Sequence, residues 1–301
     1  MVAVKHQNNG ASSSRLILIT TRKCNLDCSF CYVEKRNVVW ETEKVKKCIS
    51  QFDDGISKGK LIRFFGGEPL LEFNSIKEII EWSKGRGYEF KYDITTNGLL
   101  IDEEVQDFFL KNVDVEIIAS HKNEFEHDLN MKKIIPRMSV NFSLDPNLEN
   151  SVEDFQKILA EGFRTFNFLP AYYIIWQKSE IDNLKKTFDE FLKILIDYND
   201  AIRVKNLEIN SLMPLFGTDI TMDCDGSVYL GNFILDKRFK NIKNYFRVGG
   251  IDEIDSFKNI ESIAKGIDYN RVLRQVFNEE VLECTLRVDK ELSNFCNKLK
   301  A

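Results

Sequence analysis

Three cysteines lie close together near the start of the chain, at Cys24, Cys28 and Cys31, with the spacing Cys-x3-Cys-x2-Cys. The chain has only seven cysteines in 301 residues, so this grouping is far from a random distribution. Polar residues such as Asn25 and Asp27 separate them, a pattern that fits no buried apolar face. Three thiolates on one short segment can converge on a single metal centre. The spacing therefore predicts a metal site rather than three inert, buried thiols.

Two kinds of metal centre fit three local thiolates. A structural zinc ion takes four protein ligands, so its fourth ligand would have to come from a distant part of the chain. A [4Fe–4S] cluster is usually held by four cysteines. Held by three, it leaves one iron open to a small molecule, which is a catalytic arrangement. The cysteine spacing is therefore compatible with two interpretations: a non-enzymatic metal-binding protein, or an enzyme whose cluster has one open iron.

The segment just before the cysteines, residues 16–21, is apolar and β-branched and predicts a strand. Similar runs recur along the chain and alternate with helical patterns, the clearest of which spans residues 181–195. The predicted strands are residues 16–21, 61–65, 90–95, 113–119, 138–144 and 163–169. Such alternation predicts a parallel sheet with right-handed crossovers. Six units are too few to close an eight-stranded barrel.

The predicted fold class is therefore α/β, an open, partial (β/α)6 barrel over residues 15–200, preceded by a polar tail at residues 1–14. Ligands of such folds bind at the C-terminal ends of the strands, where the three cysteines lie. The strand–helix rhythm changes after residue 200. An Asp225–Gly226 turn between two apolar runs predicts a hairpin over residues 220–229, and helices follow. Residues 201–301 are predicted to form a small α+β appendage.

The overall composition is that of an ordinary globular protein. The chain has 42 Lys and Arg against 47 Asp and Glu, a net charge of −5, and 43% hydrophobic residues. This balance gives no reason to expect nucleic acid or an anionic membrane as a partner. The N-terminus lacks the pattern of a signal peptide, and no apolar run approaches the ~20 residues of a membrane span. We expect a cytoplasmic protein with reduced thiols.

Three motifs at successive strand ends resemble those of one enzyme family. The cysteine triplet has an aromatic residue, Phe30, before its last cysteine; residues 66–69 read Gly-Gly-Glu-Pro; and residues 96–98 read Thr-Asn-Gly. Together they resemble the radical S-adenosylmethionine (radical SAM) enzymes, and the third motif is common in the peptide-modifying branch of that family. The resemblance covers about residues 15–200.

The resemblance implies the cofactors and the reaction. Cys24, Cys28 and Cys31 would hold one [4Fe–4S] cluster, whose open iron binds the amine and carboxylate of SAM. An electron from a donor such as flavodoxin or ferredoxin would then split SAM into methionine and a 5′-deoxyadenosyl radical. That radical abstracts hydrogen from the substrate, while the protein orients and shields the cofactor.

The resemblance also implies which residues contact SAM. Gly66 and Gly67 would let the backbone approach the methionine amine, and the Glu68 carboxylate would pair with that ammonium group. The remaining cofactor-binding residues that it implies are Phe30, Asn97, Ser120 and Asn141. The fourth strand departs from the family's Ser-Leu-Asp-Gly pattern, since only Ser120 matches it. His121, which follows, is a candidate proton donor or substrate ligand, with a surface histidine as the alternative.

The predicted hairpin resembles the start of the SPASM or twitch appendage of peptide-modifying radical SAM enzymes. A cysteine that commonly follows there is absent, and Cys224, Cys284 and Cys296 form no Cys-x2-Cys pair. We therefore predict a degenerate appendage without a second cluster. Cys48 lies on an apolar helical face and is expected in the core. About fourteen residues precede the first strand, which is too short for a leader-peptide-binding domain.

The leading functional prediction is a radical SAM enzyme that acts on a peptide or protein side chain. A radical SAM enzyme acting on a small metabolite or nucleotide is the first alternative, and a non-enzymatic metal-binding protein is the second. A basic and aromatic segment at residues 237–247 could bind an acidic peptide or form an ordinary solvated loop.

Overall fold

The computed structural model describes residues 15–28, 31–121, 133–198, 201–208, 216, 219–258 and 260–300. These residues form one ten-stranded sheet flanked by helices. The strands are β1 (Arg15–Thr21), β2 (Leu61–Gly66), β3 (Lys91–Thr96), β4 (Val115–His121), β5 (Ser139–Leu144), β6 (Thr165–Pro170), β7 (Arg203–Val204), β8 (Ile220–Met222), β9 (Ser227–Leu230) and β10 (Arg247–Gly250). The α-helices are α1 (Thr42–Asp53), α2 (Phe73–Gly85), α3 (Glu103–Lys111), α4 (Ser151–Glu161), α5 (Lys178–Asp197), α6 (Ile260–Lys265), α7 (Tyr269–Leu273) and α8 (Glu279–Lys300).

Strands β1 to β7 pair in chain order, and every pair among them is parallel. The six predicted strands are confirmed, and the two-residue β7 adds a seventh. The opposite end of the sheet continues through β8, β9 and β10 without returning to β7, so the sheet is open. This arrangement confirms the predicted partial barrel.

The two faces of the sheet carry different side chains. On one face, Phe142 of β5 and Phe168 of β6 are fully buried and contact Phe191 of α5, with ring centroids 5.6 and 5.1 Å from it. The other face, called here the inner face, is polar. There Arg63 of β2 forms a bidentate ion pair with its register neighbour Asp93 of β3, at 2.8 and 2.7 Å. Because side chains alternate along each strand, this polar face lines the concave side of the partial barrel.

The predicted hairpin is confirmed and forms β8 and β9, with Gly226 in the left-handed region of its turn at a φ of 83°. Its position in the sheet is informative, because β8 pairs directly with β1 in parallel register. The appendage thus prolongs the barrel sheet on the side of the cysteine-bearing strand. The division of the chain at residue 200 stays a prediction.

Helix α5 matches the clearest helical pattern, and α8 packs against it through the stacked rings of Phe188 and Phe295, 4.8 Å apart. The weak helix predicted near residues 125–133 lies mostly outside the described residues. Within the described part of the chain, no helix is both long enough and apolar enough to cross a bilayer.

Candidate active site

The three predicted metal ligands lie in the segment that follows β1, at the C-terminal edge of the sheet. Cys24, Cys28 and Cys31 are free thiols, and each is half-buried. The backbone N–H of Cys31 donates to the carbonyl of Cys28 at 3.0 Å, which forms a tight turn between the second and third cysteines. The cysteine loop, defined as residues 22–31, therefore presents three reachable sulfurs at the edge where parallel α/β folds bind ligands.

Lys35 is hydrogen-bonded to the cysteine loop and places a positive charge beside it. The Nζ of Lys35 donates to the carbonyl of Leu26 and to Oδ1 of Asp27, both at 2.6 Å. Burial raises the pKa of the Cys24 thiol, and the Lys35 ammonium offsets part of that rise. Cys31 also lies within electrostatic reach of this ammonium. A cation beside a thiol favours the thiolate form, which is the form that binds metal.

The glycine pair at the end of β2 packs against the backbone of the cysteine loop. Gly67 N–H donates to the carbonyl of Thr21, and Glu68 N–H donates to the carbonyl of Lys23, both at 2.8 Å. A Cβ on Gly67 would lie 1.9 Å from the Lys23 oxygen, and one on Gly66 would lie 2.2 Å from the Thr21 oxygen. The glycines are thus required by a close approach to the chain's own backbone. The predicted approach to the methionine amine is a separate role and stays a prediction.

A substitution at Gly67 tests this packing. We expect Gly67→Ala to displace the Lys23 carbonyl, to reduce stability by about 2 kcal/mol through overpacking, and to lower the iron content of the purified protein. Thermal unfolding and iron analysis measure both effects. Gly85→Ala is the matched control, since a Cβ there meets nothing within 4 Å. Unchanged iron content and stability in Gly67→Ala would contradict the role given to the glycine.

The Glu68 carboxylate joins the turn after β2 to the end of β3. Its carboxylate is buried, with 1% of the residue exposed. Oε1 accepts from the Leu70 N–H at 3.0 Å and from the Thr96 hydroxyl at 2.7 Å, and Oε2 accepts from the Asn97 N–H at 2.8 Å. Burial raises the pKa of Glu68, and these hydrogen bonds oppose that rise. Oε2 keeps an acceptor position beyond its one donor.

Asn97 links β3 to the cysteine loop. Its Nδ2 donates to Oδ1 of Asn25 at 2.8 Å, and that same oxygen lies 3.9 Å from the Cys24 sulfur. Sequence reasoning did not identify Asn25 as a site residue. The signal for it was the short amide side chain between two predicted ligands.

Of the other residues predicted to contact SAM or substrate, some have described side chains and some do not. Ser120 and Asn141 are half-buried register neighbours on β4 and β5. His121 is the last residue of β4, but its side chain lies outside the described structure, as does the whole of Phe30. The structure thus brings Asn97, Ser120 and Asn141 to the same inner side of the sheet as the cysteine loop.

The other cysteines are distributed through the fold. Cys48 is fully buried on α1, Cys224 and Cys284 are buried, and Cys296 is half-buried on α8. Among the described residues, no three His, Cys, Asp or Glu side chains surround a point where a single metal ion could bind.

Comparison with known proteins identifies the family. Residues 18–168, half of the chain, match the model of the Radical SAM superfamily. The chain belongs to that superfamily. It is an enzyme of the radical SAM class, with a [4Fe–4S] cluster and SAM as its cofactors, so the non-enzymatic alternative is set aside. The half-buried thiols of the cysteine loop are the donor chemistry that such a cluster requires.

Two relatives illustrate the range of the family. The radical SAM cyclopropyl synthase TigE of Paramaledivibacter caminithermalis is 24% identical over 71% of this chain, and the match spans 45% of TigE. A probable GTP 3′,8-cyclase of Methanococcus aeolicus is 24% identical over 73% of this chain and 83% of its own length.

Solved structures share the fold. Native anSMEcpe with bound AdoMet (SAM) and Cp18Cys peptide has a TM-score of 0.68 at 16% identity, covering 94% of this chain and 95% of that one. SuiB of Streptococcus suis bound to its precursor peptide SuiA has a TM-score of 0.62 at 14% identity, covering 86% and 67%. These likenesses show that the chain shares the fold of both structures.

Proposed function

We propose that this enzyme abstracts hydrogen from a side chain of a peptide or protein, with Cys24, Cys28 and Cys31 as the ligands of its cluster. The observation that carries the assignment of the cluster ligands is the contact between the cysteine loop and the Gly66–Glu68 turn at the C-terminal edge of the sheet. When bound, the cluster and SAM supply the hydrogen-abstracting radical. We infer that an electron donor such as flavodoxin or ferredoxin provides the electron.

The protein's own residues hold and orient these groups. Lys35 fixes the cysteine loop, and its ammonium opposes the rise that burial causes in the pKa of the Cys24 thiol. Glu68, held rigidly by three donors, keeps an acceptor position for an ammonium group. The Asn25–Asn97 hydrogen bond fixes the loop against β3. Such fixed positions matter because small displacements of reacting groups cost large factors in rate.

A peptide substrate is supported by the rim of the site. Tyr32, Leu99 and Ile175 follow β1, β3 and β6 at the C-terminal edge of the sheet, and they are 44%, 61% and 43% exposed. We infer that these side chains provide apolar contacts for a peptide at this edge. The peptide complexes of anSMEcpe and SuiB, which share this fold, support the same substrate class.

The decisive experiment is reductive incubation of the anaerobically purified enzyme with SAM and candidate peptides, followed by mass spectrometry. We expect 5′-deoxyadenosine together with a mass change in a peptide. The matched control omits the peptide, and its 5′-deoxyadenosine measures uncoupled cleavage. Cleavage of SAM without any change in a broad peptide set would contradict the proposed substrate class.

A small molecule such as a nucleotide is the second candidate substrate. It is favoured by the relationship to a probable GTP 3′,8-cyclase, which extends over most of both chains. The same assay with GTP in place of peptides separates the two candidates. A GTP-dependent product, with peptides unchanged, would establish the second candidate in place of the first.

A further inference from the structure

A short segment of the appendage spans the mouth of the barrel, the opening at the C-terminal edge of its strands. Four other strands separate β1 from β6 in the sheet, yet residues 235–238, called here the bridging segment, contact the chain after both. On the β1 side, the Glu34 N–H donates to the carbonyl of Leu235, and the Lys237 N–H donates to the carbonyl of Tyr32, both at 3.1 Å. These bonds join the bridging segment to the chain just beyond the cysteine loop.

Arg238 makes the contact with the β6 side. Its Nη1 donates to the carbonyls of Tyr172 and Tyr173, which follow β6, at 3.1 and 3.0 Å. Its Nε and Nη2 donate to the carboxylate of Asp236, a side chain that is only 4% exposed. A planar guanidinium carries five donors in a fixed fork, so it can hold both groups at once. Arg238 belongs to the basic segment at residues 237–247, but its guanidinium contacts the protein itself.

The β6 loop, defined as residues 171–177, has a strained backbone. Tyr173 has a φ of 59°, in the left-handed region that bulky residues rarely adopt. Strained positions persist only where the surrounding structure holds them. Two contacts come from α8: the Tyr173 N–H donates to the Thr285 hydroxyl at 2.8 Å, and the Tyr172 hydroxyl donates to Oδ1 of Asp289 at 3.1 Å. A third contact comes from the bridging segment, on the cysteine side of the mouth.

Two exposed side chains of the rim flank this connection. Tyr32 lies in the chain that pairs with the bridging segment, and Ile175 lies in the β6 loop. We propose that Arg238 is a positioning residue for the peptide substrate. It fixes the β6 loop against the bridging segment and thereby sets the separation of Tyr32 and Ile175. This inference rests on the proposed function, because the rim positions a substrate only if a peptide binds there.

Arg238→Lys separates the fork from the charge. The lysine keeps a positive charge beside the buried Asp236, but its compact ammonium lacks the fork that also holds the two carbonyls. We expect hydrogen exchange in the β6 loop of the cluster-loaded enzyme to become about tenfold faster, as the loss of hydrogen bonds from a charged donor predicts. Arg287→Lys is the matched control, since Arg287 is 63% exposed on α8, and it should keep parental exchange.

Steady-state kinetics test the positioning role itself. With a peptide that the parent modifies, Arg238→Lys should raise KM about tenfold and leave kcat within about twofold, because a displaced rim weakens binding of the peptide. The iron content should stay parental. Arg238→Met, which removes the charge as well, should raise KM at least as much. If lysine restores the parental KM and methionine does not, Arg238 only neutralises Asp236, and the inference is overturned.

The exchange measurement supplies the remaining outcomes. Parental exchange in the β6 loop of Arg238→Lys overturns the inference, and so does faster exchange throughout the chain, which would indicate general destabilisation. A loosened loop with a parental KM shows that the loop does not position the substrate and overturns it too. If the parent modifies no peptide, the proposed function fails, and hydrogen exchange still decides whether Arg238 holds the β6 loop.

Discussion

Replacing Cys24, Cys28 and Cys31 together by alanine is expected to remove the iron from the protein and to abolish SAM cleavage. The three half-buried thiols are the proposed ligands of the cluster, and neither the electron nor SAM has a binding centre without them. Iron analysis, visible absorption and 5′-deoxyadenosine assays measure the outcome. The parent enzyme should contain about four irons per chain, which is the content of one [4Fe–4S] cluster.

Cys296→Ala is the matched control for this prediction. Cys296 is also half-buried but lies on α8, so its removal should leave four irons and full SAM cleavage. A triple variant that still cleaves SAM would show that the ligands were assigned wrongly. About eight irons in the parent would instead overturn the prediction of an appendage without a second cluster.

The barrel strands could be predicted from sequence because each is a short apolar run between turns. The residues at which the strands begin and end were predicted less accurately. The fourth strand was predicted from Val113, which is 85% exposed, whereas β4 begins at Val115. The two-residue β7 is too short to leave a pattern. The pairing of β8 with β1 joins segments about two hundred residues apart, and nothing in either segment's own sequence specifies that partner.

The same holds for the site: the sequence motifs predicted which segments form it, but not the contacts between those segments. The cysteine spacing and the Gly-Gly-Glu motif identified the two segments that meet at the sheet edge. The glycines' contact with the Thr21 and Lys23 carbonyls depends on three-dimensional packing and could not be foreseen. Asn141 was implied by the resemblance alone. Its hydrogen bond with Asn167 was not foreseen, although β5 and β6 share the same alternation of polar residues and phenylalanines. The alternation marks both positions, but only the register shows that they are neighbours.

The second large effect concerns a buried ion pair that connects the appendage to the cysteine loop. Arg22, two residues before Cys24, donates through Nε and Nη2 to the two carboxylate oxygens of Asp223, the Nε bond being 3.1 Å long. The two side chains are only 5% and 8% exposed. Asp223 stands directly after β8, and the neighbouring Cys224 thiol contacts the Ile19 carbonyl of β1 at 3.3 Å.

We expect Asp223→Asn to lower the free energy of unfolding by about 3–5 kcal/mol, because it leaves the Arg22 charge buried without a partner. The iron content should fall as well, since Arg22 begins the cysteine loop. Urea unfolding and iron analysis measure the two effects. Glu279→Gln is the control: it removes the partner of the exposed Arg274, and such surface pairs contribute at most ~1 kcal/mol.

The double variant Arg22→Met/Asp223→Asn tests the cause of that loss. It removes the uncompensated charge together with the pair, so stability should recover part of what Asp223→Asn loses. Iron content is the more informative measurement in this variant. If stability recovers but iron does not, the ion pair positions the cysteine loop for its cluster as well as stabilising the fold. If Asp223→Asn keeps parental stability and iron, the appendage does not hold the loop through this pair.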